Sequence, residues 1–314
     1  MTHRTALLAD PVCREHLAGR GHPECPERFD AVLEGLGEAG LLGRLGRIPP
    51  RAATIDELLL CHTLSYVDMA RREIASGARC LSTGDTDISP ASRDAAVHAA
   101  GGVLNAVDAV VSGSARNAFC VVRPPGHHAG VAFGMGFCVF NNVALGARYA
   151  QRRHGLERVL IVDWDVHHGN GTQDIFYCDP SVFKFSTHQW PLYPGTGRAD
   201  DTGDGAGQGF TMNFPFPAGA GRREILGAVR EALMPAAREY RPELVLISAG
   251  FDSRAGDSLG RFTLTDEDFA ALTAAVMEIA EDSAGGRVVS VLEGGYNLAG
   301  LASAAAAHVA ALGC

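Results

Sequence analysis

Six residues near the middle of the chain, Asp163 to His168, hold two carboxylates and two imidazoles (DWDVHH). They follow Val159-Leu160-Ile161-Val162, a continuous β-branched run of the kind that forms a strand buried on both faces. If the chain stays extended past that run, side chains alternate, so Asp163, Asp165 and His167 share one side and Trp164 and Val166 the other. Hard carboxylate oxygens with a borderline imidazole nitrogen suit Zn²⁺, Fe²⁺ or Mn²⁺. A solvated turn with a capping Asp is the plain alternative, but neither a cap nor a turn calls for three such groups in alternation. Two aspartates two residues apart rarely both ligate one small cation, so a third ligand must come from elsewhere. Asp252 is the best candidate, because it too follows an apolar strand (Leu244 to Ile247) through Ala249-Gly250, small enough for a tight turn. Asp165, His167 and Asp252 would leave room for a water and a substrate oxygen, with Asp163 standing behind them.

Two more polar clusters stand where apolar runs end. His127-His128 follows the stiff turn Arg123-Pro124-Pro125-Gly126. Adjacent histidines can be a surface accident; beside metal ligands they are the side chains best matched to proton transfer near neutral pH. Asp163 could hold one of them oriented and charged. Tyr296 follows Glu293-Gly294-Gly295 and could donate a hydrogen bond to a developing oxyanion. A half-buried aromatic is the simpler reading of a lone Tyr, but its place at a further strand exit argues for the site. The loop Ser82 to Pro90 carries Asp85 and Asp87, turn formers by type that could also grip a substrate backbone.

These clusters need a frame that brings them together. Strand-like runs at 118–122, 159–162, 182–185, 244–247 and 288–292 alternate with helical patterns at 141–154, 222–239 and 266–281. That rhythm predicts an α/β chain with a mostly parallel sheet, helices on both faces, and ligands beyond the carboxyl ends of the strands. Upstream, residues 1–25 read as an irregular loop, followed by helices from Pro26, over 54–60 behind a capping box, and over 65–74. A long helix over 92–111 is expected to break or kink near Gly101-Gly102. A terminal helix spans 298–312, and 195–209 reads as a flexible surface loop that lacks the Lys-Ser/Thr of a P-loop. No linker, repeat or low-complexity tract divides the chain, so one catalytic domain over 1–314 is expected.

Composition excludes several classes. With 46% hydrophobic and 20% charged residues, the 314-residue chain is an ordinary globular protein. Its net charge of −9 argues against nucleic-acid binding and is compatible with a cationic substrate. No apolar run reaches membrane-spanning length, and the start lacks a signal-peptide pattern. Eight cysteines without a CxxC pair read as free thiols, and a cytoplasmic location is expected.

The motifs RPPGHH, GFCVFNN, DWDVHHGNGTQ, SAGFD and LEGGYN, in that order and spacing, make the chain similar to the histone deacetylase superfamily, nearest its class II and bacterial amidohydrolase members. The resemblance runs from HPECPER (residues 22–28) to EGGYN and implies an arginase/deacetylase-type fold with zinc-dependent hydrolysis of an N-acetyl amide on a lysine-like amine. It implies Zn²⁺, with Fe²⁺ as the alternative, on Asp165, His167 and Asp252. His128 matches the general base and acid, His127 its electrostatic partner bonded to Asp163, and Tyr296 the catalytic tyrosine. Asn170 stands where class I members place an Asp behind the second histidine, the usual class II pattern, which bears on the resting charge of His128. Gly136 and Phe137 match one wall of an acyl-lysine tunnel, with Tyr193 near the other; Asp87 of the acidic loop is expected among the substrate-binding residues on its chemistry alone. The family also implies a structural K⁺ held mainly by backbone oxygens of Asp163, Asp165 and His167, with Ser186 nearby.

The implied substrate is an acetylated lysine peptide or protein. Acetylated polyamines are the rival, since polyamine-selective relatives place an acidic gatekeeper shortly after the metal-binding Asp. Here that position matches Leu259, which favours acyl-lysine, with Asp257 close by. A non-catalytic acyl-lysine scaffold would be expected only if Tyr296 or a ligand were missing, and arginase chemistry needs more carboxylates than these motifs supply. A homo-oligomer is compatible with all of this.

Overall fold

A computed structural model describes residues 3–313. Its strands are β1 (His3–Ala9), β2 (Gly46–Arg47), β3 (Ala115–Val121), β4 (Val159–Asp163), β5 (Val182–Gln189), β6 (Thr211–Phe216), β7 (Leu244–Ala249) and β8 (Val288–Leu292). They form one sheet in the order β2-β1-β3-β8-β7-β4-β5-β6, and every neighbouring pair is parallel. Period-two alternation sends Val159 and Ile161 to one face, under the helices Leu64–Ala75, Ser92–Val111 and Asn142–His154. Leu160 and Val162 go to the other, under the helices Glu27–Glu38, Asp266–Ser283 and Leu298–Ala311. Both faces are therefore dry, which is why β4 stays apolar from Val159 to Val162 and turns polar only at its last residue, Asp163.

Four elements depart from the sequence reading. β1 lies within the stretch expected to be irregular, and it pairs along β3 from His3 to Ala9. β6 was hidden by Pro215, but it is an edge strand, where a residue without an N–H costs nothing. The helix Ser92–Val111 runs unbroken through Gly101-Gly102. Those glycines serve close packing instead: a Cβ at 101 would sit 2.3 Å from the Arg51 carbonyl oxygen, and one at 102 would sit 2.3 Å from Leu8. The expected 222–239 helix is interrupted by a π-helical turn at Val229–Leu233, where the Met234 N–H reaches back to the Val229 carbonyl. Pro235, which has no N–H to continue the regular ladder, follows immediately.

Among the described residues all seven cysteines are free; Cys314 lies outside them. No described helix is long and apolar enough to cross a membrane. The feature that matters for chemistry is the order β3-β8-β7-β4. These four strands are distant in sequence and adjacent in the sheet, so their carboxyl ends release residues 122–128, 293–296, 250–252 and 164–168 into one place.

Candidate active site

Register fixes the site. Asp163, the last residue of β4, is level with Ser248 of β7 and Ser186 of β5. Just beyond, Asp165, His167 and Asp252 each offer one buried ligand atom, all within 4.8 Å of one another. His167 Nδ1 lies 3.0 Å from Asp165 Oδ1 and 3.2 Å from Asp252 Oδ2. Their other oxygens are engaged by backbone: the Val166 N–H donates to Asp252 Oδ1 and the Gly294 N–H to Asp165 Oδ2. At Gly294 a Cβ would fall 2.0 Å from Asp252 Oδ2, so only glycine lets the β8 exit close over the carboxylates.

Asp252 Oδ2 is buried with no hydrogen-bond partner. Burial, then the nearby Asp165 carboxylate, push the Asp252 carboxyl up to about 7. Burial also raises Asp165, but His127 and His167 outweigh it and hold that carboxyl below the usual range. An orphaned carboxylate oxygen facing a second carboxylate and an imidazole in a dry pocket is a donor set that fits a divalent cation. Asp163 stays outside this group: its Oδ2 meets His127 Nδ1 at 3.1 Å and its Oδ1 accepts from the Asp165 N–H.

The two adjacent histidines differ electrically. Burial disfavours the charged form of His127, yet Asp165, Asp163 and Glu293 overcome it and raise its pKa to about 10. For His128, burial together with the charges of His127 and His167 depresses the pKa well below the ordinary value. His128 is therefore neutral. Its Nδ1 lies 2.7 Å from Asn170 Oδ1, which can only accept, so Nδ1 carries the proton and Nε2 keeps a free lone pair. Tyr296 has its ring 5.0 Å from the Arg28 guanidinium and its N–H on Asp257 Oδ2. Burial raises the phenol well above its ordinary pKa despite Arg28, so it remains a protonated donor.

A cavity of about 280 Å³ leads to these groups. Phe137 meets Tyr296 edge-to-face at 6.0 Å, and Tyr193 meets His128 at 5.3 Å, and both rings line the cavity with Leu192 and Leu259. Gly136 and Phe137 both have positive φ (55° and 67°), the backbone bend that faces the Phe137 ring inward. A Cβ at Gly136 would also be 2.3 Å from the His128 ring.

The acidic loop needs a correction. Asp85, not Asp87, lines the cavity: Asp85 Oδ1 accepts from the Gly136 N–H at 2.7 Å and the Tyr193 hydroxyl at 3.1 Å. Asp87 makes a backbone bridge to Cys80, two residues further along the turn, and its carboxylate lies toward Gly19. Leu259 lines the cavity, whereas Asp257 is used up by the backbone N–H groups of Tyr296, Asn297 and Leu259. Ser186, level with Asp163, shares a hydrogen bond with His188 Nδ1 at 2.9 Å.

Several supporting residues escape sequence reasoning. Glu293 accepts from the Gly126 and His127 N–H groups and from Ser248, and so clamps the histidine turn to β8. Arg28 and Arg123 are fully buried and share Glu24. Arg28 also donates to the Gly295 and Glu293 carbonyls, which fixes the Tyr296 segment. The Glu24/Arg28 spacing of i,i+4 was visible, but such a pair normally reads as a solvated helix face.

The Histone deacetylase domain family matches residues 22–312. The chain is 44% identical over 314 residues to the human "Polyamine deacetylase HDAC10", covering 96% of this chain and 45% of that protein. It is 39% identical over 315 residues to the "Histone deacetylase-like amidohydrolase" of Pseudomonas aeruginosa, covering 95% of this chain and 83% of the relative. A crystal structure of the HDA15 HD domain superposes with a TM-score of 0.93 at 38% identity, covering 99% of this chain and 90% of the other. The chain thus spans less than half the length of the human relative and most of the bacterial one. It belongs to the histone deacetylase family and has the α/β deacetylase fold.

Proposed function

We propose that this member of the histone deacetylase family is a zinc-dependent amidohydrolase that removes acetyl groups from the ε-amine of lysine in peptides or proteins, giving free amine and acetate. The observation that carries this is the clustering of Asp165, His167 and Asp252 within 4.8 Å beside a cavity that His167 lines together with neutral His128 and protonated Tyr296. A zinc ion bound to that triad would polarise the acyl carbonyl and acidify a water beside it.

The chain's own residues supply the remainder. Phe137 and Tyr193 hold the alkyl arm between aromatic walls and exclude water. His128 accepts the water's proton at Nε2, while Asn170 keeps the opposite nitrogen protonated. His127, held cationic by Asp163, stabilises negative charge growing next to it. Tyr296 donates its hydroxyl to the oxyanion, and His128 returns the proton to the departing amine. We assign a structural K⁺ to the backbone around Asp163, Asp165 and His167 beside Ser186, Fe²⁺ as the alternative catalytic metal, and a cytoplasmic location.

Lysine is favoured over polyamine by the rim. Leu259 is apolar, and the nearby acids are directed to other partners, Asp257 to the backbone N–H groups of Tyr296, Asn297 and Leu259, and Asp85 on the cavity wall to the Gly136 N–H and the Tyr193 hydroxyl. The 44% identity to a protein named as a polyamine deacetylase supports the second reading, acetylated polyamines. Acetate release from acetyl-lysine peptide, acetylspermidine and acetylputrescine, each with and without chelator, tests both. Faster chelator-sensitive release from the peptide is expected; release from polyamines alone reverses the assignment. No release from any of them leaves a non-catalytic acyl-lysine binder.

A further inference from the structure

Lys184 is the only lysine among the 27 basic residues of the chain. An ammonium is a compact point charge with three donors, unlike the planar five-donor fork of the arginines used elsewhere in the chain. It is buried, 1% exposed, on β5. Nζ lies 2.9 Å from His168 Nε2 and 3.4 Å from Asn213 Oδ1, and among the described residues no carboxylate is paired with it. A buried ammonium satisfied by neutral acceptors is costly, and it imposes an orientation on whatever receives its protons.

The receiver is an imidazole with only two nitrogens. An ammonium can only donate, so His168 Nε2 must present its lone pair, and its proton then resides on Nδ1. Nδ1 faces Thr196 Oγ1 at 2.8 Å. Gln173 Oε1 also lies 2.9 Å from Nε2, and it is satisfied independently by the Asn213 amide at 2.8 Å. Thr196 belongs to the segment after β5 that carries Leu192 and Tyr193. That segment rests on the imidazole so closely that a Cβ at Gly197 would be 2.5 Å from the ring.

We propose that Lys184 is a positioning residue for the site described above: its ammonium selects the Nδ1–H tautomer of His168 and polarises the ring, which strengthens the bond that anchors Thr196 and thereby the Tyr193 wall of the tunnel. No proton is gained or lost; the lysine chooses which nitrogen holds it. The kinetic part rests on the proposed deacetylase reading, whereas the tautomer does not.

The test uses the full chain loaded with zinc. Long-range ¹H–¹⁵N imidazole spectra should show His168 neutral with the proton on Nδ1, changing to Nε2–H in Lys184→Met as Gln173 becomes the acceptor. An Nε2–H or doubly protonated His168 in the unmodified protein overturns the proposal. In steady-state assays Thr196→Val should raise KM by about 2–10-fold, the range for one lost hydrogen bond, and Lys184→Met by less, because the other tautomer still accepts from the Thr196 hydroxyl, with kcat little changed in both. The double variant should be no worse than the worse single one. Thr196 is exposed, so its variant reports even if Lys184→Met does not fold. Unchanged KM in Thr196→Val, or additive effects in the double variant, would place Lys184 in the scaffold alone. If the unmodified protein turns over no substrate, the deacetylase reading fails and the spectrum still decides the tautomer.

Discussion

Replacing Tyr296 with phenylalanine removes one hydroxyl and little else. Its backbone is anchored by the 2.7 Å bond from its N–H to Asp257 and by the 2.6 Å bond from Arg28 to the Gly295 carbonyl. Its ring is packed 6.0 Å from Phe137 and 5.0 Å from the Arg28 guanidinium, contacts a phenylalanine keeps. The phenol makes no hydrogen bond to another described residue, so its deletion orphans no partner and should leave Tm within a degree or two. The transition state loses one oxyanion donor, which costs about 2.7–4 kcal/mol, or roughly 10²–10³ in kcat. Single-turnover acetate release, metal content and Tm, measured on one preparation, separate the possibilities. A large fall in kcat with full zinc and unchanged Tm is expected. Near-normal turnover would refute the role given to Tyr296, and a fall accompanied by lost zinc would mean that the hydroxyl serves the metal site.

Other expectations are as concrete. Asp252→Ala removes the carboxylate whose Oδ2 has no partner, and metal analysis of the purified variant should find strongly reduced zinc; full occupancy would mean the ligand set is wrong. Leu259→Glu puts a carboxylate on the cavity wall and should raise kcat/KM for acetylspermidine relative to acetyl-lysine peptide, more so at low salt, and an unchanged ratio would remove Leu259 from the selectivity argument. His308 lies between Thr273 and Ser290, and burial lowers its pKa to about 3, so the unfolded chain takes up the proton first. Stability should fall as pH drops from about 6.5 toward 3, with this residue contributing about 3 kcal/mol of loss by pH 4. Urea unfolding at pH 7 and pH 4 should show a smaller loss in His308→Gln; equal losses would assign the acid sensitivity elsewhere.

The strands that hold the site are legible in the sequence because burial on both faces leaves them as unbroken apolar runs ending in polar clusters. Asp165, His167 and Asp252 are legible for the same reason: each follows such a run, and their residue types already name the chemistry. What the sequence hides is whatever depends on tertiary neighbours. β6 contains a proline that only an edge position tolerates, and Gly101-Gly102 reads as a break until Leu8 and the Arg51 carbonyl are seen pressing on the helix. Asp85 and Asp87 are equivalent by type, and only the Gly136 N–H and the Tyr193 hydroxyl single out the first. Arg28 and Arg123 look like surface charges until Glu24 is found buried between them.

The order of strands also governs when the protein can begin to work. β8 is inserted between β3 and β7, so the sheet has a vacant slot at its centre until residues 288–292 are available. While the chain is being synthesised, the histidine turn after β3 has neither Glu293 to clamp it nor Tyr296 opposite it. A ribosome-bound chain lacking those residues therefore carries Asp165, His167, Asp252 and both histidines without the Glu293 clamp or the Tyr296 hydroxyl.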